Sequence, residues 1–366
     1  MNQCIGLLYF TIINLMTMSN KIYINGRFLT QKLSGVQRHA FELSKHLSEI
    51  DKNKIILLVP SKSVIRKEYY YKFNILSLGI NTGHLWEQID LPFFLLNKKK
   101  AILINFTNSS PVIFKNKIST IHDLSVIENK DWFSFTYRFF YKNFIPLFLK
   151  TSKRIFTDSY FSKNQLIKRY KLKSDLIDVI YCASSIKKNK FIKDEKSEKF
   201  ILFIGGSSKR KNLKNLVKAF TLIDTKIKLK IVGKSTDNIN SDYILDNDRI
   251  EFLDSVSNDL LEYLYTNAIM LVFPSFYEGF GLPPLEAMSC GCPVVASNIP
   301  VLKEVYDDAI LYFDPYNIDS IKDTIAKVLC DKKLRKIMIE KGLEKTEKYS
   351  WENSANKIFN LITNKI

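Results

Sequence analysis

Glu278 and Glu286 stand eight residues apart around Gly279, Gly281 and the pair Pro283-Pro284, in the stretch FPSFYEGFGLPPLEAMSCGCPVVASNIP that runs over 273–300. Glycines at the mouth of a helix let backbone amides come close to a ligand. Unpaired N–H groups at the positive end of the helix dipole then bind phosphate. A carboxylate beside such an anion site makes sense when it faces sugar hydroxyls, which donate hydrogen bonds to it. Further cations, Arg210 and Lys211, follow the small residues Gly205-Gly-Ser-Ser and can balance a diphosphate. Together these groups point to a ligand in which a sugar is joined to phosphates.

The elements that must hold these side chains are legible on either side of them. Residues 268–273 form an apolar run without alternation, as in a strand buried on both faces of a parallel sheet. Pro274 stops it, the prolines at 283 and 284 open a helix, Gly291 closes that helix, and 293–296 is the next strand. The same reading puts strands at 21–25, 55–59, 73–77, 118–121, 155–159, 176–181, 200–204, 228–233, 249–253 and 310–315. Helices are expected at 35–47, from 213 to 220, at 257–265 and at 351–366, and the alternation of strand and helix predicts an α/β chain with parallel sheets. Gly35 opens the first helix after the first strand, where it allows a ligand to approach. His122-Asp123 ends the strand at 118–121, the end at which ligands sit in open α/β sheets. His39 and His46 read as helix-surface residues.

The wording EGFGLPPLEAMSCGCPVVAS, with its two glutamates, resembles the paired-glutamate motif of retaining glycosyltransferases of family 4, which have the GT-B fold. Lys209-Arg-Lys-Asn resembles that family's diphosphate-binding turn, and Ser34-Gly-Val-Gln-Arg its N-terminal glycine loop. Gly83-His-Leu-Trp-Glu-Gln-Ile-Asp-Leu-Pro resembles a segment of O-antigen-type mannosyltransferases, and no catalytic task is given to Trp86 or Glu87. The resemblance runs from about Lys21 to Ser350 and is densest over 200–314. It implies two doubly wound, Rossmann-like domains facing a cleft. Arg210, Lys211, Gly35 and the loop Gly279-Phe280-Gly281-Leu282 would hold the donor diphosphate. Glu286 would hold the ribose side, and Glu278 and His122 the transferred sugar. The expected division is an N-terminal acceptor domain over 18–184, a linker over 185–199, a nucleotide-sugar domain over 200–350, and a last helix over 351–366 that crosses back.

Composition agrees with two domains of ordinary size in 366 residues, and 46% hydrophobic content excludes a disordered chain. Cys4, Cys182, Cys290, Cys292 and Cys330 show no metal-knuckle spacing, and four histidines make a poor metal set, so a reducing cytoplasm and a metal-independent reaction are expected. Asp246-Asn-Asp248 has the letters of an Asp-x-Asp metal site but precedes a strand, and reads as turn chemistry. The net charge of +18 is one-sided. Residues 1–200 carry 33 Lys+Arg against 15 Asp+Glu, whereas 201–366 carry 22 against 22. An excess of this kind calls for an anionic partner.

Residues 132–154, WFSFTYRFFYKNFIPLFLKTSKR, mix aromatics with five basic residues and no acidic one. The segment fits either the headgroup layer of an anionic membrane, with Trp132, Phe133, Arg138, Phe139, Phe140 and Lys142 as contacts, or a core helix with a basic outer face. Pro146 is expected to break or kink it. Residues 1–17 are apolar but too short to span a bilayer, and a start at Met18 is expected.

The resemblance implies transfer of a hexose from a nucleoside diphosphate sugar, GDP-mannose ahead of UDP sugars, to a lipid-linked oligosaccharide in bacterial surface polysaccharide synthesis. The enzyme would be peripheral on the inner face of the plasma membrane, with no cofactor and no nucleic-acid partner. The alternatives are a non-enzymatic basic binder of nucleic acid or acidic polymer, and a sugar-nucleotide epimerase of the same fold.

Overall fold

The computed structural model describes residues 21–32, 34–98, 100–186, 198–206, 208–233, 247–254 and 256–365. The expected start at Met18, most of the 185–199 linker and Asp246 lie outside them.

Short, largely apolar runs form the strands, most of them buried over most of their length. In the first domain these are β1 Ile22–Asn25, β2 Ile55–Pro60, β3 Ile75–Leu78, β4 Ile102–Asn105, β5 Lys117–Thr120, β6 Arg154–Thr157 and β7 Ile177–Val179. In the second they are β8 Phe200–Ile204, β9 Lys228–Val232, β10 Ile250–Leu253, β11 Met270–Phe273, β12 Val294–Ser297 and β13 Leu311–Phe313. All pair in parallel, in the orders β3-β2-β1-β4-β5-β6-β7 and β10-β9-β8-β11-β12-β13. In each sheet the strand order reverses once, between β1 and β4 and between β8 and β11. Ligands of doubly wound sheets bind in the crevice at the carboxyl ends of such a pair.

β4 is absent from the sequence reading. It is only four residues long and follows directly on Lys98-Lys-Lys, yet it forms one side of the first domain's switch point. The helix Phe135–Thr151 also departs from expectation, because it continues through Pro146 without ending. Proline forfeits the hydrogen bond to the carbonyl four residues back, and Lys142 at that place is exposed, where water serves instead.

The last helix, Trp351–Lys365, returns to the first domain and packs Trp351, Ala355, Ile358 and Ile362 into the core that also holds Leu43 and Leu47 of the helix Gly35–Ile50. Its polar side tightens the return. Ser354 Oγ donates to the Tyr181 carbonyl at 2.7 Å, and Lys357 Nζ donates to that of Val179 at 2.8 Å.

One buried cation in the first domain has no carboxylate partner among the described residues. Lys117 is fully buried under the helix Phe135–Thr151 and gives its ammonium hydrogens to the Phe114 carbonyl and Thr151 Oγ1. Burial lowers its pKa to about 7. The folded chain therefore binds fewer protons than the unfolded one above that value, and stability rises with pH from about 7 towards the ordinary lysine range near 10. Lys117→Met is expected to stabilise the protein by roughly 1–4 kcal/mol at pH 7, with the advantage shrinking as pH rises. Urea melts of both proteins across that range measure it.

Candidate active site

Arg210, Lys211 and Glu278, singled out for chemistry, converge at the second domain's switch point. After β8 the chain makes a turn, Lys209–Lys211, and leaves it through Asn212 in the left-handed conformation (φ 57°). The buried Asn212 amide then donates to the carbonyls of Pro274 and Pro315, which fixes the turn against the loop after β11. That loop carries Glu278. Its carboxylate accepts from Arg210 Nη1 at 2.7 Å and from Lys211 Nζ at 2.7 Å, and Arg210 also donates to the Tyr277 carbonyl. Burial alone would raise the Glu278 pKa, but Arg210 and Lys211 outweigh it and hold the carboxyl at about 2. The same carboxylate raises the pKa of Arg210 against the effect of burial, whereas burial prevails at Lys211 and lowers it. Two cations thus face the Glu278 carboxylate, and the Asp123 carboxylate of the first domain acts on both of them as well.

The helix Leu282–Ser289 begins beside this cluster. Pro283 and Pro284 have no N–H, so its usable donors are the amides of Gly279, Phe280, Gly281 and Leu282. Among the described residues none of the four donates to a protein acceptor. Two of them, Gly281 and Leu282, stand at the helix start and two in the loop before it, the kind of place where free amides can take an anion. Gly281 has φ 94°, and a Cβ there would stand 2.8 Å from Leu302 Cδ2, so glycine is required by backbone and space together. Glu286, one turn into the helix, is buried. It accepts from Tyr265 Oη at 3.0 Å and from Arg38 Nη1 at 3.0 Å, and burial raises its pKa despite both partners.

Arg38 belongs to the first domain, so the two halves meet across the site. Its other nitrogen, Nη2, donates to Asn258 Oδ1 at 3.1 Å. Gly35, one turn earlier, is exposed with no atom within 4 Å of where its Cβ would be, which leaves room for a ligand. Further along, Ser159 Oγ donates to the Gly279 carbonyl at 2.7 Å. The Glu304 carboxylate of the second domain accepts from the Tyr160 and Phe161 amides at 2.7 Å each, thereby capping the first-domain helix Tyr160–Tyr170. Trp132 and Tyr277 close the rim with ring centroids 6.1 Å apart.

His122 does not do what the sequence suggested. Its ring is buried, with Nδ1 2.9 Å from Asp158 Oδ2 and Nε2 3.0 Å from the Phe106 carbonyl, so both nitrogens are spent inside the first domain. Burial lowers its pKa, but Asp158 prevails and the net shift is upward. What His122 presents to the cleft is its backbone: a Cβ on Gly279 would lie 2.8 Å from the His122 carbonyl oxygen. His39 is likewise no surface residue. It is buried, 4.8 Å from the His122 ring and 5.7 Å from Trp351, and burial drops its pKa to about 4. Only helical spacing placed it outside, and the returning last helix covers that face. Among the described residues, His39, His122 and Asp158 are also the one group whose metal-ligating atoms lie within 4.8 Å of one another, and two of the three already pair with each other.

Of the six expected membrane contacts, Phe139 and Lys142 are exposed, whereas Trp132, Phe133, Arg138 and Phe140 are half-buried. Trp132 turns to Tyr277, Phe133 stacks on Tyr137, and Phe140 lies between His84, Tyr141 and Phe144. A helix advances about 100° per residue, so a run of aromatics cannot all face one way. Around Asn247 the structure shows a turn, with Asn247 Oδ1 accepting from the Arg249 amide. Arg38, Tyr265, Asp158 and Glu304 carry no role in the sequence reading. Arg38, Asp158 and Glu304 stand in stretches that share the family resemblance, Ser34–Arg38, 155–159 and 301–306, whereas Tyr265 has no such signal.

Two parallel, doubly wound domains that face each other across a cleft are the GT-B architecture. Solved structures agree on the fold. Sucrose-phosphate synthase from Thermosynechococcus elongatus superposes with a TM-score of 0.71 at 17% identity, over 93% of this chain and 98% of that one. WaaG, a glycosyltransferase involved in lipopolysaccharide biosynthesis, gives 0.70 at 14% identity, over 94% and 99%. The profile of the family described as glycosyl transferases group 1 matches residues 185–345. The O-antigen chain mannosyltransferase RfbU of Salmonella typhimurium is 32% identical over 246 residues, 63% of this chain and 68% of that protein. The O-antigen chain mannosyltransferase B of Escherichia coli is 30% identical over 272 residues, 68% and 71% respectively. The chain belongs to the group 1 glycosyl transferases and has their GT-B fold.

Proposed function

We propose that the chain moves a hexose, mannose from GDP-mannose before any UDP sugar, to a hydroxyl of a lipid-linked oligosaccharide with retention at the anomeric carbon. The product would serve bacterial O-antigen or capsule synthesis. The observation that carries the proposal is the meeting of Arg210, Lys211, Glu278 and four free amides at one switch point, faced by Gly35 and Arg38 of the other domain. The O-antigen mannosyltransferases among the relatives support the choice of sugar and pathway class.

In this mechanism the leaving diphosphate sits on the amides of 279–282 with Arg210 and Lys211 against its oxygens. Negative charge grows there as the glycosidic bond breaks, and donors already in place stabilise it without reorganising. No metal is needed for that task, because the cations of the turn perform it. The acceptor hydroxyl attacks on the face the diphosphate leaves, and a phosphate oxygen takes its proton. Glu278 orients the two cations and accepts from sugar hydroxyls, and no carboxylate serves as nucleophile. Glu286 and Arg38 adjoin the ribose. Asp158 and His122 hold the backbone that Gly279 closes upon, which makes His122 a positioning residue. Among the described residues no helix is long and apolar enough to cross a membrane, and attachment to the inner leaflet through the basic first domain is part of the proposal.

Thermal melts with a panel of nucleoside mono- and diphosphates and their sugars test the donor site, since a ligand of the native state raises Tm. GDP and GDP-mannose are expected to stabilise most and GMP least. Stabilisation by no nucleotide would overturn the site.

A further inference from the structure

The segment between β3 and β4 carries an apolar face that nothing among the described residues covers. It is one helical run in three adjoining pieces, Gly83–Leu85, a π-helical turn Trp86–Asp90, and Leu91–Leu96. Trp86, Leu91 and Leu95 point inward and are fully buried against β1, β2 and β4. On the opposite side Leu85, Ile89, Phe93 and Leu96 are 54–73% exposed, at spacings of four, four and three that make a single stripe. Four large apolar side chains aligned in water exceed the scattered exposure of an ordinary surface.

The stripe does not stand alone. His84 lies 4.7 Å from the Phe140 ring, which joins this run to the helix Phe135–Thr151, where Phe135, Phe139 and Leu147 are also exposed. Right-handed β3-to-β4 and β5-to-β6 crossovers put both helices on the same side of the first sheet, away from the helix Gly35–Ile50. Charge selects the occupant. The two helices hold two carboxylates, Glu87 and Asp90. Glu87 is fully buried beside Arg27 at 3.3 Å, and Asp90 accepts from the Ile80 and Asn81 amides and from the Asn81 side chain. Lys100, Lys142 and Lys150 remain exposed around the apolar residues. A second copy packed face to face would set these lysines against each other, whereas an anionic bilayer would accept both the lysines and the apolar stripe.

We infer that the Leu85–Ile89–Phe93–Leu96 stripe is a docking surface for an anionic lipid bilayer, inserted at headgroup depth beside the helix Phe135–Thr151. The inference rests on the lipid-linked acceptor proposed above and names the surface that brings the cleft to it. The start of the second helix adjoins Trp132 at the cleft rim, so docking on this face holds the cleft mouth at the membrane.

Co-sedimentation of the full chain with phosphatidylglycerol-rich vesicles, and with phosphatidylcholine vesicles as the uncharged control, tests it. The variants are Ile89→Asp with Phe93→Asp, and separately Phe135→Asp with Phe139→Asp, each first shown by thermal melts to be folded and stabilised by nucleotide as the wild type is. The wild type is expected to bind the anionic vesicles only, and the Ile89/Phe93 variant to lose roughly tenfold or more of that partition. Binding by the Ile89/Phe93 variant equal to wild type overturns the inference. If the Phe135/Phe139 variant alone loses binding, the membrane reading of the second helix survives and the stripe does not. A wild type that ignores vesicles yet is stabilised by nucleotide refutes docking and leaves the donor site standing. A wild-type dimer that the Ile89/Phe93 variant splits assigns the stripe to self-association and overturns the inference as well.

Discussion

Lys211→Ala is expected to lower the rate of hexose transfer by roughly 10²–10³-fold, the usual cost of removing one preorganised donor from a site of developing negative charge. Lys211 Nζ is held in two ways, by Glu278 Oε1 at 2.7 Å and by the face of Phe273 at 5.0 Å, so its position is fixed before a ligand arrives. The loss should fall on kcat and on the affinity for diphosphates, and spare nucleosides that lack them. Stability should suffer less, because Arg210 still covers the Glu278 carboxylate. With one cation gone, burial acts on Glu278 with less opposition, and its pKa moves up from about 2. The wild type keeps Glu278 ionised across the whole working range, so no acid limb of its pH profile belongs to this carboxyl. Steady-state kinetics from pH 5 to 8 on both proteins check the fold-change and the profile together. A variant with wild-type kcat would remove the cation from the mechanism.

Gly279→Ala is expected to retain nucleotide binding and lose transfer by roughly 10²-fold, a loss typical of about an ångström of misplacement between reacting groups. The residue has an ordinary backbone conformation, so alanine is not strained there in itself. The obstacle is the other domain. A Cβ would come within 2.8 Å of the His122 carbonyl oxygen and 3.0 Å of Asp123 Cβ, and neither is the far end of a flexible side chain. The domains must part to admit it. Parting breaks the Ser159 bond to the Gly279 carbonyl and loosens the Glu304 cap on the helix Tyr160–Tyr170. The groups that the proposal sets against the diphosphate, the amides of 279–282 with Arg210 and Lys211, lie in the second domain, and Gly35 and Arg38 alone come from the first, so most of the nucleotide-induced rise in Tm should persist while turnover falls. Equal losses of both would show that the added methyl displaces the loop amides from the phosphate and that closure is not the step it disturbs.

How much of this was legible in the sequence follows from how local each feature is. The loop at 278–286 and the turn at 209–211 are local: glycine, proline and charge at fixed spacing dictate strand, cradle and helix, and the structure brings Arg210, Lys211 and Glu278 together there. The strand–helix alternation pointed to an α/β chain with parallel sheets and the family resemblance to two doubly wound domains, although β4 was lost in a four-residue run behind three lysines. Features that depend on which distant segments meet were not legible. Asp158 claims the His122 ring from 36 residues away, and Arg38 reaches Glu286 from 248 residues away. His39 has the spacing of a surface residue and is buried because Trp351 comes back over it. Exposure around a helix also escaped the reading of 132–154. Its composition fitted a membrane face and a core helix alike, and the fold leaves Phe139 and Lys142 exposed and the other four candidates half-buried, while the separate stripe at 85–96 is bare.

The most direct test of the central claim follows GDP release and labelled hexose together, with purified enzyme, GDP-[14C]mannose and a lipid extract as acceptor source, in the presence of EDTA. The account predicts GDP release matched mole for mole by label in the organic-extractable lipid fraction, unchanged by the chelator and abolished by Glu278→Gln. GDP release with the label left as free sugar, an epimerised nucleotide sugar without GDP release, or turnover that EDTA stops would contradict it.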